Sequence, residues 1–201
     1  MSATADQGVL IAFEGLDQSG KETQARRQRA RLAATGCEVL ALSFPCYRTR
    51  IAHEIASALS GGTRYAPDVL QLLYIANRFE YKPQIQEALT RGAVVICDRY
   101  LASSVAYGEA FGLDGGWLAD AQRLLPQPTL TVLLDIAPET AVARKALDRD
   151  RFERDLDLLG RVRASYLRQA TQPGWVRIDG ERPREDVETA VTAAVMARLG
   201  R

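Results

Sequence analysis

The chain has 201 residues, of which 47% are hydrophobic and 25% charged, a composition typical of a globular protein with one sizeable core. Its 26 Lys and Arg residues nearly balance 25 Asp and Glu, which argues against nucleic-acid or membrane partners. No apolar run reaches the ~18 residues of a membrane helix. The first residues lack a secretion signal, and the three cysteines have no metal-binding spacing. These features predict a single domain over residues 1–201, located in the cytoplasm.

Five short apolar runs alternate with stretches of helical periodicity, which predicts a parallel sheet with helices on both faces. The runs are rich in Val, Ile and Leu, as strands buried on both faces are. The predicted strands are Val9–Phe13, Glu38–Ser43, Ala93–Cys97, Leu130–Leu134 and Trp175–Ile178. The predicted helices cover about 21–35, 51–59, 68–91, 138–144, 152–169 and 184–199, and Pro83 is expected to break the third.

A phosphate-binding loop directly follows the first predicted strand. Residues 15–21 have the pattern Gly-x-x-x-x-Gly-Lys and open into a predicted helix. Glycines let successive backbone N–H groups converge on an anion, the helix N-terminus adds its positive dipole end, and Lys21 supplies a mobile charge. The pattern is typical of a Walker A motif. It predicts an ATP site formed by Gly15, Leu16, Asp17, Gln18, Ser19, Gly20, Lys21, Glu22 and Thr23.

Glu22 occupies the position where this motif has Ser or Thr, whose hydroxyl binds Mg²⁺. The Glu22 carboxylate either binds the ion itself or points to solvent, as an acidic residue favoured in a first helical turn. Thr23 is rotated by about 100° around the helix and is a poor replacement. Both interpretations of Glu22 stay open, and the predicted phosphate site does not depend on the choice.

The third predicted strand leads into Asp98 and Arg99, an arrangement typical of a Walker B motif. A carboxylate at this position holds Mg²⁺ directly or through water. The planar Arg99 guanidinium suits a phosphate group above the carboxyl edge of the sheet. Lys21, Asp98 and Arg99 are therefore candidate catalytic residues. Asp98, with Glu22, is also a candidate Mg²⁺ ligand.

Four motifs in this chain resemble those of thymidylate kinases in order and spacing, namely residues 13–21, 44–45, 76–80 and 98–107. The resemblance extends from about residue 9 to residue 180. It implies a three-layer P-loop fold of the α/β class, with a five-stranded parallel sheet in the order 2-3-1-4-5. It also implies transfer of the γ-phosphoryl group of ATP to dTMP, giving dTDP and ADP with Mg²⁺, by a homodimer.

The resemblance also implies where the acceptor binds. Tyr74 matches an aromatic residue that stacks on thymine, and Arg78, one helical turn later, matches the arginine that hydrogen-bonds the base. On residue types alone, the pair is better explained as a half-buried aromatic beside an arginine that extends to solvent, and the family resemblance favours the base pocket. Arg99 matches the arginine that binds the acceptor phosphate. The remaining positions implied to contact the acceptor are Asp17, Phe44, Tyr47, Ser103, Ser104 and Tyr107.

An arginine-rich segment, residues 144–154, falls where thymidylate kinases have a lid. On composition alone it is a solvated charged segment whose ion pairs contribute little. Some thymidylate kinases carry a catalytic arginine at the P-loop position of Gln18, and others use lid arginines instead. The resemblance therefore implies that Arg149 stabilises the transferring phosphoryl group and that Arg144 and Arg154 bind ATP.

Two other functions remain compatible with the sequence. A kinase for another nucleotide or for a deoxynucleoside would keep the P-loop and the Asp98-Arg99 pair and would change the pocket around Tyr74. A non-catalytic nucleotide-binding module is also possible, because Glu22 departs from the Walker A pattern. Turnover with a panel of monophosphates separates the three functions.

Overall fold

The structure is a computed structural model that describes residues 8–144 and 155–200. Its strands are β1 (Val9–Glu14), β2 (Val39–Ser43), β3 (Val94–Asp98), β4 (Leu130–Asp135) and β5 (Trp175–Asp179). They form one parallel sheet in the order β2-β3-β1-β4-β5. The five predicted strands and their order are thereby confirmed, and each strand begins and ends within one residue of its expected bounds.

Helices pack on both faces of this sheet. Those in the described part of the chain are α1 (Lys21–Ala34), α2 (Arg50–Ser60), α3 (Pro67–Glu80), α4 (Lys82–Thr90), α5 (Leu101–Ala110), α6 (Gly115–Ala121), α7 (Pro138–Arg144), α8 (Leu156–Gln169) and α9 (Arg184–Arg198). The break expected near Pro83 is confirmed, because α3 and α4 are separated at Tyr81. Within residues 8–144 and 155–200, no helix combines the length and apolar character needed to span a bilayer.

Two helices, α5 and α6, lie in a region for which the sequence pattern predicts none. The α5 sequence, LASSVAYGEA, is rich in small residues and is buried over most of its surface, so it lacks a one-sided apolar stripe. The α6 helix has only seven residues, two of them glycines. Short or wholly buried helices give weak periodic signals, which explains the difference.

The core forms where β1 alternates its side chains between the two faces of the sheet. Ile11 and Phe13 face one layer, where they pack with residues of α1 and α9. Leu10 and Ala12 face the other layer, where they pack with residues of α4. A further cluster on the α5 and α8 side includes Leu133 of β4. The expected layered arrangement of helix, sheet and helix is confirmed.

The carboxyl ends of β1, β2 and β3 meet at one edge of the sheet. Phe13 and Ser43 both pair in register with Asp98, so the loops after the three strands start side by side. In open parallel sheets, ligands bind outside this edge. The predicted phosphate loop and the Asp98-Arg99 pair are thus brought together by strand register alone.

Candidate active site

The loop between β1 and α1 is tightly packed against the neighbouring strand. Gly15 has a φ of +141°, and a Cβ at this position would lie 2.4 Å from the carbonyl oxygen of Leu134. Only glycine fits this approach and this backbone conformation. Gly20, with a φ of +92°, begins α1 as its N-cap residue. The loop therefore presents its backbone, and the N-terminus of α1, to the space in front of it.

A cavity of about 650 Å³ opens in front of this loop and is termed the P-loop cavity. All of the predicted ATP-site residues from Asp17 to Thr23 line it, together with Asp98, Arg99 and Arg144. Gly15 and Leu16 do not. The Leu16 side chain is buried in the core, whereas its carbonyl oxygen accepts a hydrogen bond from Lys21 Nζ at 3.2 Å.

Two cations share one carboxylate at the base of this cavity. Lys21 Nζ donates to Asp17 Oδ1 at 3.2 Å, and Arg99 Nη2 donates to the same oxygen at 2.6 Å. Burial alone would raise the pKa of Asp17, but the charges of Arg99 and Lys21 outweigh burial and hold that pKa well below its usual range. Burial and the neighbouring Arg99 charge lower the pKa of Lys21. Asp17 therefore remains ionised beside both cations.

Asp98 has one carboxylate oxygen available to a ligand. Its Oδ2 accepts a hydrogen bond from Ser43 Oγ at 3.2 Å, whereas its Oδ1 is buried and has no partner among the described residues. Glu22 is exposed in the first turn of α1 and lines the same cavity. In residues 8–144 and 155–200, no three or more acidic, His or Cys side chains form a metal-binding group. A cation here would need further ligands from bound phosphates or water.

A second cavity, of about 260 Å³, adjoins the first and is termed the aromatic pocket. The two cavities share a wall formed by Asp17, Arg99 and three residues of the segment after β2. All nine residues predicted to contact the acceptor line the aromatic pocket: Asp17, Phe44, Tyr47, Tyr74, Arg78, Arg99, Ser103, Ser104 and Tyr107. The structure thus brings together residues from α3, α5 and three loops.

The guanidinium of Arg78 is held in the aromatic pocket by neutral acceptors. Its Nη1 donates to Ser104 Oγ at 2.7 Å and to Gln122 Oε1 at 3.3 Å. Gln122 Nε2 in turn donates to the carbonyl oxygens of Leu101 and Leu118, which fixes the orientation of the amide. Arg78 Nε is buried and has no hydrogen-bond partner in the described part of the chain. Arg78 therefore offers N–H donors, and no acceptor, to a bound molecule.

Gln122 reaches Arg78 because α5 and α6 pack closely. A Cβ on Gly108, in α5, would lie 2.2 Å from Cδ1 of Leu118, in α6. The missing side chain at Gly108 allows this approach. Neither Gln122 nor this contact is visible as a sequence motif, and the sequence-based reasoning did not identify Gln122.

Arg99 lies at the junction of both cavities in a left-handed backbone conformation, with a φ of +60°. Its backbone N–H donates to the carbonyl oxygen of Phe13 at 2.9 Å, which anchors the turn after β3 to β1. The guanidinium lies 5.4 Å from the centre of the Tyr107 ring. It also donates to Ser103 Oγ and Tyr166 Oη, each at 3.2 Å. The sequence patterns gave no signal for Tyr166.

The predicted lid is only partly described. Arg144 Nη1 donates to the carbonyl oxygen of Gln18 at 3.3 Å, and its Nη2 donates to that of Gly180 at 2.9 Å. Arg144 therefore contacts the P-loop, and its role in binding ATP remains a prediction. Arg149 and Arg154 lie outside the described residues. Arg182 and Arg184, which the sequence reasoning did not single out, add two cations to the wall of the P-loop cavity.

Comparisons with known proteins find relatives that match nearly the whole chain. Relatives include a thymidylate kinase from Plasmodium falciparum, 31% identical over 196 residues, with 97% of this chain and 93% of the relative covered. A probable thymidylate kinase from Pyrobaculum calidifontis is 38% identical, with 96% and 100% covered. The structure of a Candida albicans thymidylate kinase superposes with a TM-score of 0.85 at 28% identity, covering 96% of this chain and 93% of that one.

A family model also matches most of the chain. The family model described as thymidylate kinase matches residues 13–191, from the end of β1 to the middle of α9. This range includes the P-loop, the Asp98-Arg99 pair and every described residue of the aromatic pocket. The chain belongs to the thymidylate kinase family.

Proposed function

We propose that this protein transfers the γ-phosphoryl group of ATP to dTMP, giving dTDP and ADP. The observation that carries the proposal is the wall shared by the P-loop cavity and the aromatic pocket, formed in part by Asp17 and Arg99. A triphosphate on the P-loop and a monophosphate in the aromatic pocket would meet at this wall. Membership in the family supports the same reaction.

The donor nucleotide binds through its phosphates. Backbone N–H groups of the P-loop and the N-terminus of α1 surround them, and Lys21 turns from Asp17 towards the β- and γ-phosphates. Arg144, next to Gln18, adds a positive charge on the outer side of the cavity. Arg154 is assigned to the same nucleotide by the family resemblance.

The acceptor base is selected by aromatic stacking and by the donors of Arg78. Tyr74 supplies a ring for the base, and Tyr107 packs against the sugar. The N–H groups of Arg78 can donate to the O4 carbonyl oxygen of thymine. Cytosine carries an amino group at this position, which is itself a donor and could not accept from Arg78. Asp17 accepts a hydrogen bond from the 3′-hydroxyl of the sugar.

The transfer step needs positioning and charge compensation more than a nucleophilic side chain. An oxygen of the dTMP phosphate attacks the γ-phosphorus in line, and the bond from that phosphorus to the β–γ bridging oxygen breaks. The bonding electron pair leaves with ADP. Arg99 orients the attacking phosphate, and Lys21 and Arg149 stabilise the negative charge of the transferring group.

Asp98 and Glu22 are the residues that would hold Mg²⁺. The unpartnered Oδ1 of Asp98 fits a cation or its bound water, and Glu22 faces the same cavity. Mg²⁺ commonly takes one or two carboxylates and completes its ligands with substrate phosphates and water. When bound, the ion compensates charge on the β- and γ-phosphates.

We further infer a homodimer, as the family resemblance implies. Val69 and Leu72 are three residues apart on α3, so they share a helix face, and they are 40% and 45% exposed. A mass of twice the single chain by light scattering is expected, and one chain mass would contradict the inference. The cytoplasmic location and the single domain remain predictions from the sequence.

A panel of phosphate acceptors tests the reaction. ADP release is measured with dTMP, dUMP, dCMP, GMP, UMP and thymidine, and the highest kcat/KM is expected for dTMP. A preference for dCMP, GMP or UMP would assign the protein to another nucleotide, and a preference for thymidine would make it a nucleoside kinase. ATP binding without turnover on any acceptor would indicate a non-catalytic module.

Substitution of Lys21 provides the companion test. Lys21→Ala is expected to abolish turnover, because no other described lysine lines the P-loop cavity. Lys82→Ala is the matched control, since Lys82 lies over the Phe79 ring at the start of α4 and contacts neither cavity. Equal activity of the two variants would contradict the assignment of Lys21.

A further inference from the structure

A buried carboxylate, Glu14, lies beside the residues that surround Arg99. Glu14 is the last residue of β1 and is 0% exposed. Its Oε1 accepts hydrogen bonds from the backbone N–H groups of Tyr100, at 2.8 Å, and Ser103, at 3.3 Å. These groups are at the N-terminus of α5, where a negative charge is favourable. One oxygen of Glu14 therefore caps α5.

The other oxygen of Glu14 accepts from two hydroxyl groups. Ser103 Oγ donates to Oε2 at 2.6 Å, and Tyr166 Oη donates to it at 3.1 Å. Each hydroxyl has one proton, so donation to Glu14 leaves the lone pairs of both hydroxyl oxygens available. Both accept from Arg99 Nη1 at 3.2 Å. The two hydroxyl oxygens also lie 2.9 Å apart, within hydrogen-bond distance of each other, so Ser103, Tyr166 and Glu14 form one connected group beside Arg99.

Arg99 is thus held from two sides. Its Nη2 donates to Asp17 at the wall between the cavities, and its Nη1 donates to the pair of hydroxyls bound to Glu14. Tyr166 is 1% exposed, so bulk water does not compete for its hydroxyl. Tyr166 belongs to α8, whereas Glu14 belongs to β1, so the position of the guanidinium depends on elements far apart in the chain.

We propose that Glu14 and Tyr166 are positioning residues for Arg99 and set the strength with which Arg99 binds the acceptor phosphate. This inference rests on the proposed function, in which Arg99 contacts the 5′-phosphate of dTMP. Neither Glu14 nor Tyr166 lines the aromatic pocket, so both act through Arg99. By fixing the acceptors of Nη1, they hold the plane of the guanidinium in one orientation, so that Nε and Nη2, which now donates to Asp17 and Tyr107, are directed to the phosphate.

If Glu14 and Tyr166 had a purely structural role, substituting them would change ligand binding in a different way. If Glu14 only capped α5 and Tyr166 only filled space, loss of a hydrogen bond would loosen the whole pocket and weaken binding of base and sugar as well. If they position Arg99, the loss is confined to ligands that carry a 5′-phosphate. Thymidine and dTMP differ only in this group, so the pair of ligands separates the two roles.

The test measures dissociation constants of dTMP and thymidine by calorimetry for the parent protein and for Tyr166→Phe, which removes one hydroxyl. Binding of dTMP is expected to weaken by about 10-fold or more, the usual effect of losing a hydrogen bond to a charged group. Binding of thymidine is expected to stay unchanged. Equal weakening of both ligands, or no change for dTMP, would overturn the inference.

Tyr65→Phe is the matched control. Tyr65 Oη donates to Glu54 at 2.8 Å on the protein surface, so this variant also loses a hydrogen bond between tyrosine and glutamate. Neither dissociation constant is expected to change. A parent protein that does not bind dTMP would contradict the proposed function itself, and this result is distinct from failure of the Tyr166→Phe comparison.

A double-variant cycle extends the test to Glu14. Glu14→Gln keeps the shape of the side chain and one oxygen to cap α5, and it removes the charge that both hydroxyls face. Because Tyr166 and Glu14 act as one unit, the double variant is expected to bind dTMP no more weakly than Glu14→Gln alone. If the losses in dTMP binding free energy of the two single variants add up in the double variant, the inference that Glu14 and Tyr166 act together would be overturned. Thermal melting reports folding, and the Tyr166→Phe result decides the matter if Glu14→Gln does not fold.

Discussion

At the scale of single residues, each buried charge of the site has a distinct set of partners. Arg99 donates directly to the Asp17 carboxylate and is linked to the Glu14 carboxylate through two hydroxyl groups. Arg78 donates only to the neutral oxygens of Ser104 and Gln122. The family motifs identified both arginines. They could not identify Glu14, Gln122 or Tyr166 as partners, because contacts between residues far apart in the chain leave no local pattern in one sequence.

Arg78→Met removes the donors for the base while keeping an unbranched apolar side chain. The KM for dTMP is expected to rise by about 10- to 100-fold, the usual effect of losing hydrogen bonds from a charged group, with the KM for ATP unchanged. Steady-state kinetics measure both constants. Arg123→Met, at an exposed arginine after α6, is the control expected to change neither. A parallel rise in both constants for Arg78→Met would show general loss of structure instead.

Asp135, at the end of β4, is a buried carboxylate with two arginine partners. Arg163 donates to both of its oxygens, at 2.7 and 3.1 Å, and Arg177 Nη2 donates to Oδ2 at 2.6 Å. Burial alone would raise the pKa of Asp135, but the hydrogen bonds from Arg163 and Arg177 outweigh burial and lower that pKa below its ordinary value of 3.8.

This lowered pKa predicts acid sensitivity. The unfolded chain takes up the proton first as the pH falls below about 4, so the stabilisation present at neutral pH is then lost. Asp135→Asn should reduce the free energy of unfolding at pH 7 by about 1–2 kcal/mol, since the arginines are partly exposed. Urea denaturation between pH 7 and pH 3 should show a shallower decline for the variant. An identical decline would contradict the assignment.

At the scale of elements, the sequence pattern predicted the strands better than the helices. The three central strands β3, β1 and β4 are almost entirely buried and give continuous apolar runs, and the edge strands β2 and β5, though partly exposed, keep short apolar runs between polar segments. The α5 and α6 helices were missed, since one is buried nearly all round and the other is short. Ser104 lies in α5 and Gln122 directly follows α6, and both accept hydrogen bonds from Arg78. The helices that the pattern missed therefore form the part of the pocket around Arg78.

The N-cap of α6 is testable by itself. Asp114 accepts a hydrogen bond from the backbone N–H of Trp117 at 2.7 Å. Asp114→Ala is expected to lower the free energy of unfolding by about 1 kcal/mol, the usual effect of losing a side-chain cap. Asp114→Asn, which keeps a capping oxygen, should remain near the parent value. Urea denaturation measures both, and equal destabilisation by the two changes would show that the cap is not the cause.

At the scale of the whole molecule, the two cavities lie side by side at the carboxyl edge of the sheet. The order of the strands places the P-loop after β1 between β3 and β4, and the segment after β2 contributes to the wall that both cavities share. Motifs in register predicted this meeting of residues, because parallel strands bring their ends together. The roles of Arg149 and Arg154 in the lid remain predictions, since residues 145–154 are outside the part of the chain that the structure describes.

A molecule that fills both cavities should compete with both substrates. Adenosine and thymidine joined through their 5′-oxygens by a chain of four or five phosphates would place one base beyond the P-loop and the other beside Tyr74. Steady-state inhibition is expected to be competitive against ATP and also against dTMP. Competition with only one substrate would contradict the adjacency of the two cavities. The control is a molecule of the same length with adenosine at both ends, which is expected to bind more weakly because adenine does not fit beside Tyr74 and Arg78.

Gly108 does not line the aromatic pocket, yet its lack of a side chain lets α6 lie close to α5. A larger residue at this position would meet the side chain of Leu118, in the helix that ends next to Gln122. If this contact displaced α6, the Gln122 amide that accepts from Arg78 would move with it. Under the proposed function, a substitution at a position outside the pocket would then alter the preference for thymine.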